Sequence, residues 1–442
     1  MEVYSNKQIW GISYPIFLSL LAQNVINVTD TAFLGRVGEV ELGAAAMGSL
    51  FYICVFTIAF GFSTGSQIIM ARRNGEKRYR DVGPVMVQGT FFLLIMAFLL
   101  FGMSRLIAPG VMRFLVSSDK IFDATMIFLN WRIYGFFFAF VNVMFRALYI
   151  GITRTKVLTL SAIAMALVNV LLAYTLIFGH FGFPAMGIKG AAIASVIAEG
   201  SSVLFFIVYT YITVDFKKYG LNQFRSFDVT LLTRVLNISS FTMMQYFLSM
   251  ATWFVFFVAV ERLGQRQLAI ANIVRSLYVV MLIPVNALST TTNTLVSNAI
   301  GAGGVNQVMK IMHKIARFSF LIVFSIVILV VIFHQFVLSV YTNETALISE
   351  AAGSVYVISF AMLVSSVSNV YFNGISGTGN TRSALMLESL TLIFYTGYIF
   401  FVGIYLKARI EICFGIEVLY YALLLTGSVI YLKKANWQSK KL

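Results

Sequence analysis

The sequence has little charge for its length. Asp, Glu, Lys and Arg make up 11% of its 442 residues, whereas they make up about a quarter of a soluble protein. A soluble chain needs charged side chains to cover its surface, so that class is excluded. Residues of the set AVILMFWYC make up 59%, and the mean hydropathy is +0.88. The composition predicts a polytopic membrane protein.

Cysteine and histidine are also scarce, which excludes several kinds of site. The two cysteines lie inside apolar runs and the three histidines in separate connecting regions: Cys54, Cys413, His180, His313 and His334. They offer neither a disulfide framework nor a metal-ligand spacing. The sequence lacks the pattern G-x-x-x-x-G-K-[ST] of ATP-driven pumps. Since it also lacks a His pair, a Cys–His pair or paired acids on one span, we expect no cofactor and no enzyme activity.

Apolar runs long enough to cross a bilayer, which takes about 20 residues, are abundant. We count twelve: 9–33, 43–70, 84–108, 122–149, 157–178, 188–213, 232–259, 268–298, 316–340, 347–373, 383–406 and 412–432. With both termini cytoplasmic, twenty Lys and Arg lie on the inside face and nine on the outside, as the positive-inside rule requires. The net charge of +15 is then a topology signal and a contact with lipid, and we expect no nucleic-acid binding. We expect a multi-pass protein of the plasma (inner) membrane.

The two halves of the chain resemble each other at an offset of 226 residues. Without any insertion, this offset aligns loop ends, turn glycines and several other side chains: Arg36 with Arg262, Gly38 with Gly264, Tyr52 with Tyr278, Gly151 with Gly377, and Thr155 with Thr381. Both halves begin on the same side of the membrane, as in parallel repeats of secondary transporters. The sequence predicts a six-helix lobe at 1–213, a cytoplasmic linker at 214–231 and a second six-helix lobe at 232–442.

One acid lies near the end of the first span. Gln23, Asn27 and Asp30 share a helical face, and Pro15 removes a backbone hydrogen bond fifteen residues earlier, which permits a kink. An ionisable group in the bilayer costs about 2.5–3.5 kcal/mol, and a carboxyl group in a poorly hydrated site can bind and release a proton. Asp30 is either such a site or a helix-end aspartate hydrogen-bonded to the loop 35–42.

Two further acids and several neutral polar residues lie within the spans. Glu199 and Glu388 are either titrating sites or structural glutamates paired with an arginine, and the spans contain Arg132, Arg146 and Arg275. The neutral residues either pack helices together or line a hydrated cavity: Asn142, Asn169, Gln245, Ser249, Asn286 and Asn293.

Several motifs together resemble the multidrug and toxic compound extrusion (MATE) family, and most closely its DinF-like branch. They are the segment Val28–Gly38 after Pro15, the polar segment Gly61–Gly75, the turn Gly151–Lys156 with its echo Gly377–Arg382, and Gly187–Ser195. The resemblance implies twelve transmembrane helices in two pseudo-symmetric lobes that form a V, and alternating access driven by H⁺ or Na⁺. Asp30 then matches the acid that binds the coupling cation, and Asn169 and Ser195 match its polar neighbours.

The sequence departs from that family pattern at three positions. Ala173 replaces a second N-lobe acid of some members, and Ser249 and Ser365 replace C-lobe acids of Na⁺-coupled members. A hard cation prefers several charged oxygens, so these departures favour H⁺ as the coupling ion, with Na⁺ as the alternative.

These observations predict an antiporter that exports small amphipathic or cationic compounds and functions as a monomer. The alternative within the same superfamily is a flippase for lipids or lipid-linked oligosaccharides. It is disfavoured because the N-lobe face lacks a cluster of basic residues. A membrane-embedded enzyme or scaffold is the third alternative.

Overall fold

The computed structural model describes residues 4–222, 227–342 and 344–439. Within these ranges the chain is helical and contains no strand. A helix satisfies its own backbone hydrogen bonds, which is required of a segment in lipid. The described chain forms two compact units, an N-terminal unit (Tyr14–Met243) and a C-terminal unit (Met1–Ser13 with Met244–Leu442). The predicted lobes and linker stay a prediction, and residues 223–226 of that linker lie outside the described residues.

The N-terminal unit contains most of α1 and the first part of α9. Its helices are α1 (Asn6–Val37), α2 (Glu39–Gly75), α3 (Val82–Leu115), α4 (Asp119–Arg132), α5 (Gly135–Gly151), α6 (Lys156–Phe178), α7 (Gly187–Thr213), the short α8 (Phe216–Tyr219) and α9 (Val229–Glu261). Glycines let α2 and α9 approach closely: a Cβ on Gly61 would meet the backbone of Met243. The Thr242 hydroxyl donates to the Gly61 carbonyl at 2.6 Å.

The C-terminal unit contains the start of α1, the remainder of α9 and six further helices. These are α10 (Gln265–Gly301), α11 (Val308–Ile332), the short α12 (His334–Ser339), α13 (Thr345–Gly377), α14 (Thr381–Ile399), which continues as a π-helical segment (Phe400–Tyr405), and α15 (Ile410–Lys434). Its buried core is apolar and includes Phe256, Val274 and Phe414.

The predicted spans agree with the helices, with one correction. Among the described residues, eleven helices are long and apolar enough to cross a membrane, and a broken pair makes twelve if it counts as one span. The predicted span 122–149 is not one straight helix: it comprises α4 and α5, which are bent by 54° relative to each other. The break occurs at Ile133 and Tyr134, directly before Gly135, where the chain makes a turn.

The 226-residue repeat is visible in the packing of each unit. A Cβ on Gly151 would lie 3.4 Å from the Gln67 carbonyl oxygen, and a Cβ on Gly377 would lie 2.5 Å from that of Asn293. Both glycines and both of their neighbours are 226 residues apart. The two units therefore build the same close helix contact from equivalent positions.

Candidate functional site

The carboxyl group of Asp30 lies where α1, α6 and α7 meet. The Ser195 hydroxyl donates to Asp30 Oδ2 at 3.4 Å, and Asn169 Nδ2 donates to Ser195 Oγ at 3.5 Å. The Asn169 amide also interacts with the carboxyl group itself, and its side chain is buried. The structure therefore brings together the three residues that the family resemblance singles out.

This cluster has more hydrogen-bond acceptors than donors. Asp30 Oδ1 and Asn169 Oδ1 are both buried, and neither has a donor in the described part of the chain. A buried acceptor without a donor costs about 1–3 kcal/mol. A proton on the carboxyl group, or a small cation beside it, would supply what the two oxygens lack.

Three other predicted residues of α1 have different surroundings. Gln23 lines a pocket of the N-terminal unit. Asn27 is exposed, and no hydrogen bond joins its side chain to Asp30 within the described residues, so its role stays a prediction. Pro15 lies inside the helix, and its carbonyl oxygen accepts a hydrogen bond from the Thr159 hydroxyl at 3.0 Å.

Glu199 on α7 takes part in a largely buried ion pair at the break between α4 and α5. Arg132 Nη2 and Nη1 donate to its two carboxylate oxygens at 2.6 Å and 3.0 Å, and the Tyr52 hydroxyl donates to the same group at 3.1 Å. The Arg132 guanidinium lies 3.6 Å from the centre of the Tyr52 ring. Of the two roles open to Glu199, the contacts are those of the structural one, with Arg132 as the partner.

A pocket of about 140 Å³ opens within the N-terminal unit. Its polar lining includes Gln23, Asn142, Arg146 and Glu199, and its apolar lining includes Phe56. Asn142 Nδ2 donates to the Glu199 carbonyl at 3.0 Å, while Asn142 Oδ1 has no donor among the described residues.

Glu388 is buried in the C-terminal unit without a cationic partner among the described residues. It is 2% exposed, and its carboxyl group accepts hydrogen bonds from the hydroxyls of Ser249 and, at 3.0 Å, Tyr420. Gln245 also interacts with it. Of the two roles open to Glu388, the structure does not support the arginine-paired one, because neutral groups surround the carboxyl group.

A second buried acid of this unit, Glu417 on α15, was missed by the sequence reasoning. Its carboxylate accepts hydrogen bonds from the hydroxyls of Tyr395 at 2.9 Å and Tyr278 at 3.2 Å. Tyr278 is the repeat equivalent of Tyr52, which binds Glu199 in the same way. The repeat alone does not point to Glu417, because the position 226 residues after Glu199 is Leu425.

The remaining predicted residues of the C-terminal unit do not share one site. Asn286 is exposed. Asn293 is buried, and neither of its amide atoms has a partner in the described chain. The Arg275 guanidinium lies over the rings of Phe257 and Trp253, at 5.1 Å and 5.9 Å from their centres. Among the described residues, no group of three His, Cys, Asp or Glu side chains could hold a metal ion.

Curated relatives match part of this chain. A probable multidrug resistance protein NorM of Agrobacterium fabrum is 28% identical over 214 residues, or 48% of this chain and 45% of the relative. A protein of the same name from Bacillus cereus is 26% identical over 189 residues, or 43% of this chain and 42% of the relative. The matched segment thus spans less than half the length of each relative.

Solved structures match nearly the whole fold. A MOP superfamily transporter from Pyrococcus furiosus has a TM-score of 0.90 at 16% identity, covering 98% of this chain and 97% of that one. The Vibrio cholerae MATE transporter VcmN has a TM-score of 0.87 at 16% identity, covering 98% of both chains. At these identities the likeness shows the fold alone. The sequence model of the MatE family matches residues 15–175 and 218–399, which is most of the chain, so the protein belongs to the MatE family, whose members are secondary transporters rather than enzymes.

Proposed function

We propose that the protein is an antiporter that exports small amphipathic organic compounds in exchange for H⁺, with Asp30 as the proton-binding group. The observation that carries this proposal is the acceptor surplus at the site: Asp30 Oδ1 and Asn169 Oδ1 are buried without a donor. A proton on Asp30 converts one acceptor into a donor, which removes the deficit.

The proton is a better fit to the cluster than Na⁺. A hard cation is held by several oxygens, usually including more than one carboxylate. Here the described cluster offers one carboxylate with the hydroxyl of Ser195 and the amide of Asn169. A single carboxyl group is sufficient for a proton, so H⁺ is the proposed coupling ion.

Proton binding would act on transport through the packing of α1. It would remove the charge of Asp30 and rearrange its contacts with Ser195 and Asn169, which lie on α7 and α6. Because Pro15 removes one backbone hydrogen bond of α1, we propose that this helix bends there, reduces the pocket lined by Gln23, and expels the substrate. A gradient of one pH unit supplies about 1.4 kcal/mol for this change.

Transport in proteoliposomes tests the proposal. Tetraphenylphosphonium and 1-naphthoate serve as a cationic and an anionic probe, and their movement is followed after an imposed pH gradient or an imposed Na⁺ gradient. We expect the pH gradient to drive transport of at least one probe, and Asp30→Asn to abolish that stimulation. The amide cannot release a proton, but it keeps the size of the carboxyl group.

Asp123→Asn is the matched control, since Asp123 is an exposed acid on α4 and should transport as the wild type does. Undiminished pH-driven transport by Asp30→Asn would remove Asp30 as the coupling site. If the Na⁺ gradient stimulated transport and the pH gradient did not, Na⁺ would replace H⁺ as the proposed coupling ion.

We also propose a plasma-membrane location with both termini cytoplasmic and a monomer as the working unit, on the strength of the basic-residue asymmetry and the internal repeat. A flippase is less well supported. Of the three span arginines, Arg132 is bound to Glu199 and Arg275 lies over aromatic rings, which leaves Arg146 alone for a phosphate group.

A further inference from the structure

The pocket of the N-terminal unit contains an arginine whose charge is not compensated. Arg146 on α5 is partly buried and lines the pocket. None of the acidic groups in the described chain forms an ion pair with it, and no hydrogen bond joins its guanidinium to a described residue. A charge removed from water without a partner is costly, and within membrane spans such groups mark substrate or ion pathways.

The acid that lines the same pocket does not neutralise Arg146. Both carboxylate oxygens of Glu199 are bound by Arg132, at 2.6 Å and 3.0 Å, and the Tyr52 hydroxyl adds a further hydrogen bond. The positive charge of Arg132 balances the negative charge of Glu199. Glu199 is therefore neutralised by Arg132, which lies outside the lining, and the positive charge of Arg146 has no such counter-charge among the lining residues.

The rest of the lining suits the apolar body of a small molecule. Phe56, Phe60, Phe206 and Met165 contribute apolar surface beside Arg146. Ligand pockets commonly combine such a lining with a few polar groups that fix the orientation of the ligand. A guanidinium binds carboxylate, sulfonate and phosphate groups through paired hydrogen bonds.

From this arrangement we infer that the pocket binds the acidic group of an amphipathic molecule, with Arg146 as the residue that recognises the negative charge. This deepens the proposed export function by naming a substrate class, and its transport consequence rests on that function. Binding itself needs no ion gradient, so the two can be tested separately. The acidic group belongs either to a free organic acid or to an anionic lipid.

The first experiment compares two ligands of nearly the same size and shape, one anionic and one neutral. The wild-type protein in phosphatidylcholine nanodiscs is titrated with radiolabelled 1-naphthoate and with its neutral isostere 1-naphthamide. We expect 1-naphthoate to bind at least ten-fold more tightly. Equal affinity for the two ligands would overturn the inference before any variant is made.

Variants then assign the preference to Arg146. Arg146→Gln should bind 1-naphthoate at least ten-fold more weakly and 1-naphthamide as the wild type does, which also shows that the variant is folded. Arg146→Lys should retain part of the preference because it keeps the charge. Arg275→Gln is the matched control, since it removes a span arginine that does not line the pocket. Retained preference in Arg146→Gln would overturn the inference.

Two further measurements distinguish a free organic acid from an anionic lipid, and the binding site from the proposed role of Asp30. Replacing part of the phosphatidylcholine by phosphatidylglycerol weakens 1-naphthoate binding if the site takes an anionic lipid, and leaves it unchanged if it takes a free organic acid. Asp30→Asn should lose gradient-driven transport but keep the preference for 1-naphthoate. If Asp30→Asn proves fully active in transport, the coupling proposal fails while the binding site stands.

Discussion

Replacing Arg132 by glutamine should destabilise the N-terminal unit strongly. Arg132 and Glu199 bind through two hydrogen bonds of 2.6 Å and 3.0 Å, and their side chains are 13% and 15% exposed. Without Arg132, the carboxylate stays buried with the neutral hydroxyl of Tyr52 as its partner. Removing one member of a buried ion pair costs about 3–5 kcal/mol, and we expect Arg132→Gln to fall in that range.

The cost is measurable as the free energy of unfolding in mixed detergent–SDS micelles. Arg113→Gln is the matched control, because Arg113 pairs with Asp119 at the surface, where the side chains are 59% and 79% exposed. Screening by solvent limits such a pair to about 1 kcal/mol or less. If Arg132→Gln were no less stable than Arg113→Gln, the reasoning would be refuted.

A double-mutant cycle separates the interaction energy of Arg132 and Glu199 from the cost of leaving one charge buried without a partner. Glu199→Gln removes the negative charge, so the double variant Arg132→Gln with Glu199→Gln leaves no uncompensated carboxylate. We expect it to recover part of the stability lost in Arg132→Gln, with a coupling energy of about 2–3 kcal/mol. Strict additivity of the two single changes would show that the side chains do not act as a pair.

Three further changes are checked by thermal unfolding of the purified protein. Gly135→Ala should lower the melting temperature, because its Cβ would collide with the side chains of the buried ion pair; overpacking of this kind costs about 1–3 kcal/mol. Gly102→Ala, with no atom near the added Cβ, is its control and should be neutral. Gly377→Ala should be similarly destabilising, because its Cβ would meet the backbone of Asn293; an unchanged melting temperature would contradict the close contact of α10 and α13. Glu417→Gln should unfold with a free energy within about 1 kcal/mol of the wild type, because its amide oxygen still accepts hydrogen bonds from the tyrosines. Glu417→Ala should lose about 1–3 kcal/mol of stability. Equal effects of the two variants would contradict a hydrogen-bonding role for Glu417.

The helices could be predicted because lipid imposes a simple rule on composition. A long apolar run with few charges becomes a helix, and the ends of α6 (Lys156–Phe178) lie within a residue of the predicted run. The break after Arg132 could not be predicted, since hydropathy carries no information on backbone direction. It is a turn before Gly135, and the ion pair formed there joins residues far apart in sequence.

The parts of the site that could be predicted are those that follow from residue spacing within one helix or from the family resemblance. Asp30, Asn169 and Ser195 were expected to be neighbours, and the structure brings them together. Asn27 shares a helical face with Asp30 in the sequence, but a helical face is wider than a single site, and Asn27 is exposed. The sequence could not predict that Arg146 lacks an acidic partner. Any of the three span arginines could pair with Glu199, and only the packing of the helices determines which one does.

The charge of the substrate that the pocket around Arg146 selects also determines how membrane voltage acts on the transport cycle. An inside-negative potential contributes about 2.3 kcal/mol per elementary charge moved for each 100 mV. Exchange of one proton for a monovalent cation moves no net charge, so voltage would not drive it. Exchange of one proton for an anion selected by Arg146 moves two charges in the favourable direction. An anion-exporting cycle would therefore be electrogenic and would continue when the proton concentrations on the two sides are equal.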